Sequence, residues 1–538
     1  MTKVLHKPDY TDAVRADAIG TCEAYRVGIF IVAYNADKLI SQILDRIPDF
    51  IAERVAEIFI IDDCSKDATF SVASAAARAN VAIPIRVFRT PSNQGYGGNQ
   101  QLGYQYALER GFDIAVLLHG DGQYAPEYLP QILAEYSRHP DVAAVYGSRF
   151  MPPRSALKGG MPLYKWVGNR ILTRLQQRLI GSSLSEMHSG YRSYKLSSLA
   201  KVPFQLNSKD FDFDSDIIIQ FAAAGLKIIE VPIPTYYGDE ICYVNGMKYA
   251  SQCLRSALRY RAMQFEIFYD KKYDIPREGV GLYQRKSSPK TTHGYVRQLN
   301  FAGNEKVFDV GGGDGKAIAI DLAERGLSVT VLDQTPCATS HSNLEHVICN
   351  LDSLDTWTGV PPSSADVLLA LDVIEHLRDP EHGIDQMFRA LKAGGRLVAS
   401  TGNVAFLLVR VMLAFGFFNY GRKGILDLTH RRLFTIGTFS QLLARHGFKI
   451  TKKTYFGVPL LDTIGGRSWF IRTLDQLSHW LAQKLPSLFA YQVMIEAERR
   501  ESIHDLMAGT FALPKSSLNP VASPVQVYQQ TQRQPAGV

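Results

Sequence analysis

The sequence predicts an α/β protein of two domains, and three observations carry that expectation. Its 538 residues exceed what one hydrophobic core organises, so two domains of about 200 to 260 residues are expected. Apolar, strand-like runs alternate with helical stretches in two separate series, the rhythm of a parallel sheet covered by helices. Between the series the pattern lapses into "DKKYDIPREGVGLYQRKSSPKTTHGY", rich in Pro, Gly, Ser and basic residues, which reads as a connector.

In chain order, the first series runs "RVGIFIVAY", "VAEIFIIDD", "IPIRVFRT", "DIAVLLHGD" and "VAAVYGSRF". The second runs "KVFDVGGGDG", "LSVTVLD", "HVICNLD", "ADVLLALD" and "GRLVAST". From Pro514 the chain turns Pro-, Ser- and Gln-rich and nearly acid-free, the composition of a disordered tail. The expected boundaries are residues 1–268 for the first domain, 269–296 for the linker, 297–513 for the second domain and 514–538 for the tail. Six scattered cysteines with no C-x-x-C pair argue against a disulfide framework or a structural zinc site, and a cytoplasmic setting fits. The polar start lacks the apolar segment of a secretory signal. A net charge of +7 without a dense Lys/Arg run excludes a nucleic-acid groove, leaving anionic small molecules or a membrane surface as partners.

In the first half, acids stand where parallel strands end, which is where ligands bind in open α/β sheets. "FIIDDCSKDAT" leaves Asp62 and Asp63 at one end, and "LLHGDGQY" leaves Asp121 at another. Carboxylates there suit a nucleotide's base or ribose, or a divalent metal on a diphosphate. The ordered motifs "IFIVAYN", "IIDDCSKDAT", "NQGYGGNQQLGY", "HGDGQYAPE", "YGSRF" and "HSGYRSYK" resemble the signature of family 2 glycosyltransferases, in the branch similar to polyprenyl-phosphate mannosyl- and glucosyltransferases. The resemblance spans roughly residues 25 to 240 and implies a GT-A fold, a nucleotide-diphosphate sugar donor and Mg²⁺ or Mn²⁺. It would put Ala33, Tyr34, Asn35 and Asp63 on the nucleotide, and Asp121 with Gln123 on the metal and diphosphate. Asp121 matches the second acid of the family's D-x-D, whereas His119 replaces the first. Imidazole prefers softer metals than Mg²⁺, so His119 either contacts a phosphate or the sugar, or is hydrogen-bonded within the fold.

On the acceptor side, Arg149 and Arg170 match positions that in this branch are similar to arginines facing the acceptor phosphate, a role that suits the planar guanidinium fork. A phosphate acceptor is already ionised, whereas a sugar hydroxyl needs a base, for which Glu186, His188 and Asp239 are the candidates.

In the second half, "VFDVGGGDGKAIAIDLAERG" carries a strand into glycines and then a helix, which aims backbone N–H groups at a ligand. The spacing fits neither a dinucleotide fingerprint nor a P-loop. It resembles motif I of class I S-adenosylmethionine-dependent methyltransferases, a Rossmann-like fold, over roughly residues 290 to 500. That resemblance implies cofactor contacts from Asp309, Gly311, Gly313, Gly315 and Asp372, with Asp333 on the ribose and Asp352 near the adenine. Positioning dominates methyl transfer, but an oxygen nucleophile gains from a base. Glu375, His376 and His430 are the candidates, and His430 is preferred because it follows an insertion placed to face the acceptor.

That insertion, "VAFLLVRVMLAFGFFNYGRKG" at Val404 to Gly424, is too short and too charged to span a bilayer. It is expected either to cap the acceptor pocket or to lie at a membrane interface with Phe417, Phe418 and Tyr420 at headgroup level. The function that follows is a bifunctional enzyme that adds a sugar and a methyl group to one glycan or glycolipid, on a glycan or polyprenyl-phosphate acceptor. The alternatives are a polyprenyl-phosphate glycosyl synthase whose methyltransferase half acts elsewhere, and a non-catalytic glycan-binding first half that presents substrate to an active methyltransferase.

Overall fold

The computed structural model describes residues 11–80, 83–152, 154–234, 245–264, 269–275, 288–315, 318–336, 340–461, 469–502 and 505–506. The chain divides into two compact units, Met1–Val280 and Gly281–Val538. Each is a seven-stranded sheet between helices.

In the first unit the strands are β1 (Val27–Ala33), β2 (Glu57–Asp62), β3 (Ile85–Arg89), β4 (Ile114–His119), β5 (Ala144–Ser148), β6 (Arg192–Lys195) and β7 (Ile228–Pro232), in the order β3-β2-β1-β4-β6-β5-β7. β1 is apolar throughout and every residue of it is buried, because helices cover both faces of a central parallel strand. β6 alone runs against its neighbours β4 and β5. The register sets Ala33 beside Asp62, Val32 beside His119 and Asp62 beside Arg89, so the strand ends that carry acids form one row. One face of the sheet packs Ile29, Ile31, Ile58 and Ile60, and the other packs Phe30, Phe59, Leu117 and Phe213. Phe30 and Phe59 stack with centroids 4.9 Å apart. Gly103 lets the helix Tyr96–Glu109 lie directly on that stack, since a Cβ there would stand 2.1 Å from the Phe30 ring.

The second unit orders its strands β10-β9-β8-β11-β12-β14-β13, from β8 (Lys306–Val310), β9 (Ser328–Asp333), β10 (Leu344–Ile348), β11 (Ala365–Leu371), β12 (Leu391–Gly402), β13 (Phe448–Phe456) and β14 (Gln492–Arg499). β14 pairs antiparallel with both β12 and β13. The five strands read from the sequence in each half are present. Those not read, β6, β7, β13 and β14, complete the sheets.

The stretch read as a linker is partly built into the units. Tyr273, in the turn Lys271–Tyr273, is buried and donates its hydroxyl to Asp216 Oδ1 at 2.6 Å. At the other end, Thr292–Gln298 is a helix capped by Thr291. Residues 276–287 lie outside the described residues, as does the tail expected at 514–538.

The contact at Gly103 yields a first expectation. Gly103→Ala should destabilise the first unit by about 1 to 3 kcal/mol, the scale of overpacking a tight core. Denaturant unfolding followed by fluorescence checks this, and an unchanged midpoint would show that the helix shifts without cost.

Candidate active sites

In the first unit the row of strand ends is closed by hydrogen bonds from its own loops. Asp63 is buried, and its Oδ1 accepts from Thr90 Oγ1 at 3.1 Å and Gln94 N at 2.8 Å, while Oδ2 accepts from Gly95 N at 2.9 Å. Its carboxylate thus fixes the loop that enters the helix Tyr96–Glu109. Asp62 accepts from both N–H and O–H of Ser65, whose Oγ in turn accepts the Asn35 N–H at 2.8 Å. Asn35 sits in the left-handed region at φ 50° and its Oδ1 accepts from Lys66 N, so the loops after β1 and β2 are stitched together. Ala33 is buried at the end of β1, and Tyr34 beyond it is exposed.

Asp121 and His119 part company. Asp121 is exposed just past β4, and its Oδ1 accepts the Gln123 N–H at 3.0 Å across a turn at Gly122. The His119 ring turns inward. Its Nε2 lies 3.2 Å from the Gly190 carbonyl and 3.3 Å from the Tyr96 hydroxyl, which itself donates to Asp214 Oδ2 at 3.0 Å. Since Nε2 faces a carbonyl, it donates there. Burial pushes this imidazole below its ordinary range, against the pull of Asp121 and Asp214. The His119 ring thus has hydrogen-bond partners within the fold through Nε2.

Behind this network lies Arg192, fully buried on β6, which sequence reasoning missed. It donates to the carbonyls of Ser189, Met187 and Asp214 and pairs with the Asp214 carboxylate at 3.8 Å. The signal was the arginine in "HSGYRSYK" and the alternating acids of "KDFDFDSD", but only the fold shows that they meet.

Arg149 and Glu186 are brought together. Both are buried, and Arg149 offers its backbone N–H at 2.7 Å and its Nε at 2.9 Å to the two Glu186 oxygens. Arg149 Nη2 also donates to Glu186, and Asn169 Nδ2 adds a further donor at 3.3 Å. His188 Nδ1 lies 2.9 Å from the Tyr249 hydroxyl, and its Nε2 is buried without a hydrogen bond. Burial first, then Arg192 and Arg149, push its pKa down to about 3. Arg170 stacks over Trp166 at 4.8 Å on the helix Leu163–Ile180. That helix exposes Leu163, Tyr164, Val167, Ile171 and Leu175, with Tyr164 at 73%. Arg170, Arg174 and Arg178 recur beside this stripe at four-residue spacing, so one side of the helix is apolar with a basic margin. Asp239 lies outside the described residues.

In the second unit the glycine turn after β8 takes φ 69° at Gly311, 59° at Gly313 and 76° at Gly315, a conformation other residues rarely adopt. Asp333, ending β9, accepts the Gly313 N–H at 2.9 Å through Oδ2 and the Thr335 N–H at 2.7 Å through Oδ1. Asp309 is buried beneath, and burial first, then Asp333, push its carboxyl up to about 7. Asp372 sits at φ 54° and accepts from Ser400 Oγ at 2.8 Å and Gln492 Nε2 at 2.8 Å. Asp352 accepts the Arg378 N–H at 2.8 Å and faces Arg431 at 3.8 Å. Glu375 is 1% exposed, and burial first, then Asp372, raise its carboxyl to about 8. His376 and His430 meet edge to face with centroids 4.6 Å apart.

Both raised carboxyls have the same consequence for stability. A folded chain that keeps a proton which the unfolded chain has released loses stability as pH rises from the unfolded pKa to the folded one. That window runs from 3.8 to about 7 for Asp309 and from 4.5 to about 8 for Glu375. Unfolding of the second unit in denaturant is therefore expected to become easier from about pH 5 to about pH 8. Glu375→Gln should flatten the upper part of the slope and Asp309→Asn the lower part, and a slope unchanged in both variants would show the carboxyls to be ionised throughout.

The family model described as glycosyl transferase family 2 matches residues 28–202, and that described as a methyltransferase domain matches residues 283–453. The chain is 30% identical over 211 residues to the undecaprenyl-phosphate mannosyltransferase of Micrococcus luteus, covering 39% of this chain and 82% of that protein. It is also 30% identical over 221 residues to the UDP-N-acetylglucosamine–dolichyl-phosphate N-acetylglucosaminyltransferase of Methanococcus voltae, covering 39% and 86%. In the second half it is 32% identical over 146 residues to the ubiquinone biosynthesis O-methyltransferase of Pseudomonas fluorescens, covering 26% of this chain and 61% of that protein. The carboxylates at the strand ends of the first unit and the glycine turn of the second lie inside the matched segments, and the chain belongs to glycosyl transferase family 2, with a methyltransferase domain joined behind it.

Proposed function

We propose that the first half moves a sugar from a nucleotide-diphosphate sugar to a polyprenyl phosphate, and that the second half methylates the same or a related glycan with S-adenosylmethionine. One observation carries the choice of acceptor: both described side chains that the sequence offered as bases are withdrawn. Glu186 is saturated by Arg149 and Asn169, and His188 is held neutral with Nδ1 on Tyr249. A sugar hydroxyl needs a base, while a phosphate oxygen attacks without one. In this reading Glu186 holds Arg149 in place, and Arg149 with Arg170 receives the acceptor phosphate. The apolar, basic-edged side of the helix Leu163–Ile180 suits the lipid that carries such a phosphate. The acceptors named for the curated relatives are of the same kind.

On the donor side, Ala33, Tyr34 and Asn35 would line the nucleotide, with Asp63 holding the loop at their side. Asp121 presents one carboxylate, and among the described residues no three His, Cys, Asp or Glu side chains gather to hold a metal. That donor set fits Mg²⁺ or Mn²⁺ that draws its other ligands from the diphosphate and water, since Mg²⁺ is usually held by one or two carboxylates plus phosphates. Such a metal would neutralise the charge of the leaving diphosphate, with Asp121 as its protein ligand and Gln123 beside it. The His119 ring is engaged within the fold while Asp121 stays exposed, which supports reading Asp121 as the acid of a catalytic first half.

In the second half, Gly311, Gly313 and Gly315 would carry the methyl donor on their backbone. Asp333 would take its ribose, and Asp352, Asp309 and Asp372 would shape the rest. The chain would work as a peripheral protein on the cytosolic side of a membrane. Among the described residues no helix is long and apolar enough to cross one. The Val404–Gly424 insertion supports a surface contact: Leu408, Val411, Leu413, Phe415, Phe417 and Phe418 are exposed, Phe415 at 75%. The helix Trp469–Lys484 of the same unit exposes Trp469, Phe470, Leu477 and Trp480.

Two outcomes are expected. Asp121→Asn should lower sugar transfer to undecaprenyl phosphate at least ~10²-fold, the scale of a lost electrostatic contact to developing charge, and leave S-adenosylmethionine binding by calorimetry unchanged. Full transfer by this variant would end the assignment. The chain should also float with anionic liposomes, less so as salt rises, because basic residues near the surface contribute about 1 kcal/mol each. Phe417→Ser with Phe418→Ser should weaken flotation in a chain that keeps its melting temperature. Wild-type chain that ignores liposomes at low salt would exclude the surface contact.

A further inference from the structure

Residues 426–432 fold over the turn that follows β11. Arg431 and Arg432 donate their backbone N–H groups to the Glu375 carbonyl at 2.8 and 3.1 Å, which clamps this loop onto residues 374–376. The clamp brings Thr429 to His376, with Oγ1 and Nδ1 3.0 Å apart. The same hydroxyl lies 2.7 Å from Asp427 Oδ1, which also accepts the Thr429 N–H at 2.8 Å. An ionised carboxylate only accepts, so the one hydroxyl proton goes to Asp427 and the Thr429 oxygen must accept from His376. That fixes the tautomer of His376, with its proton on Nδ1 and its lone pair on Nε2. Asp427 is buried, so the carboxylate end of the chain is held in place, while Thr429 stands at the surface between it and the imidazole.

His430, the base preferred from sequence, is less well placed to keep a proton. Its Nδ1 lies 2.9 Å from the Ile425 carbonyl, so its partner is neutral. Burial first, and His376 second, hold it below its ordinary range. Two imidazoles this close carry one positive charge more readily than two. The groups around the pair are Asp427, Asp372 and Glu375, and of these only Asp427 is linked by hydrogen bonds to a ring nitrogen, through Thr429.

Resting on the methyltransferase reading, we infer that His376 Nε2 takes the proton of a neutral hydroxyl acceptor, with Thr429 and Asp427 as positioning residues, so that the second half methylates oxygen. The acceptor oxygen forms its bond to the methyl carbon as the sulfur–methyl bond of the sulfonium donor breaks, and that electron pair stays on sulfur as a thioether. The hydroxyl proton passes to His376 Nε2, and the imidazolium that results donates through Thr429 toward Asp427. A carboxylate acceptor is already ionised and would leave this relay without a task.

Three measurements on the full chain test this. Selective ¹⁵N-histidine labelling of the ligand-free protein reads the tautomer: His376 should be protonated at Nδ1 in the wild type and in Thr429→Ser, and mixed in Thr429→Val. Methyl transfer from labelled S-adenosylmethionine is then followed with octyl mannoside and octyl glucoside as hydroxyl probes and octanoate as the carboxylate probe. Label is expected on a glycoside and not on octanoate. His376→Gln should lose ~10² to 10⁴-fold in kcat, the usual worth of a general base. Thr429→Val should move the acidic limb of kcat/KM to lower pH with KM for the glycoside unchanged, and Thr429→Ser should restore it. Calorimetry with S-adenosylmethionine separates the failures. If the wild type does not bind it, the methyltransferase reading falls. If it binds, an unchanged tautomer in Thr429→Val, or label on octanoate alone, overturns the relay while that reading stands.

Discussion

In both units one interaction sets the site: an aspartate at the end of a parallel strand accepts a backbone N–H from a glycine in the neighbouring loop. Asp63 does this for Gly95 and Asp333 does it for Gly313. Parallel strands must hand the chain to loops at their carboxyl ends, and those loops leave donors that need partners. A carboxylate supplies two acceptors in a compact group, so it stiffens the loop and leaves charge at the ligand edge. The acids that resembled ligand contacts in the sequence therefore have structural partners already. Any contact they make with a ligand uses the remaining lone pairs of oxygens that are held in position.

The two sites differ in how they treat protons. In the first unit, burial and arginine keep His188 neutral and Glu186 paired, which is what the proposed phosphate acceptor requires of its surroundings. The second unit pairs two imidazoles beside the turn after β11 and holds two raised carboxyls, the kind of groups a proton-handling site uses.

Much of this was legible in the sequence. The long apolar runs gave the central parallel strands, since a strand buried on both faces leaves a continuous apolar signature. β6 was not legible, because "RSYK" looks like an exposed turn although Arg192, Ser193 and Tyr194 are all buried. Its polarity is satisfied by partners far away in sequence, such as Asp214, and no local pattern reports those. β13 and β14 escaped because they are antiparallel additions without a βαβ rhythm. The Arg149–Glu186 pair was hidden for a similar reason: two residues that each suggested a separate role are 37 positions apart and meet only in the fold. His376 was named from its motif, but its ranking against His430 depended on Thr429 and Asp427, which carry no signature of their own.

The seat of His119 also bears on how this branch of sequence space is connected. A Cβ on Gly190 would lie 2.6 Å from the His119 ring, so position 190 accepts only glycine while histidine is present. An aspartate is too short to reach where the imidazole Nε2 stands, so it would leave the Gly190 carbonyl and the Tyr96 hydroxyl without this shared partner. Restoring a second acid at 119 would therefore cost the contacts that the imidazole makes to residues 190 and 96. Positions 119 and 190 are thus coupled, and the residue at one decides which residues the other accepts.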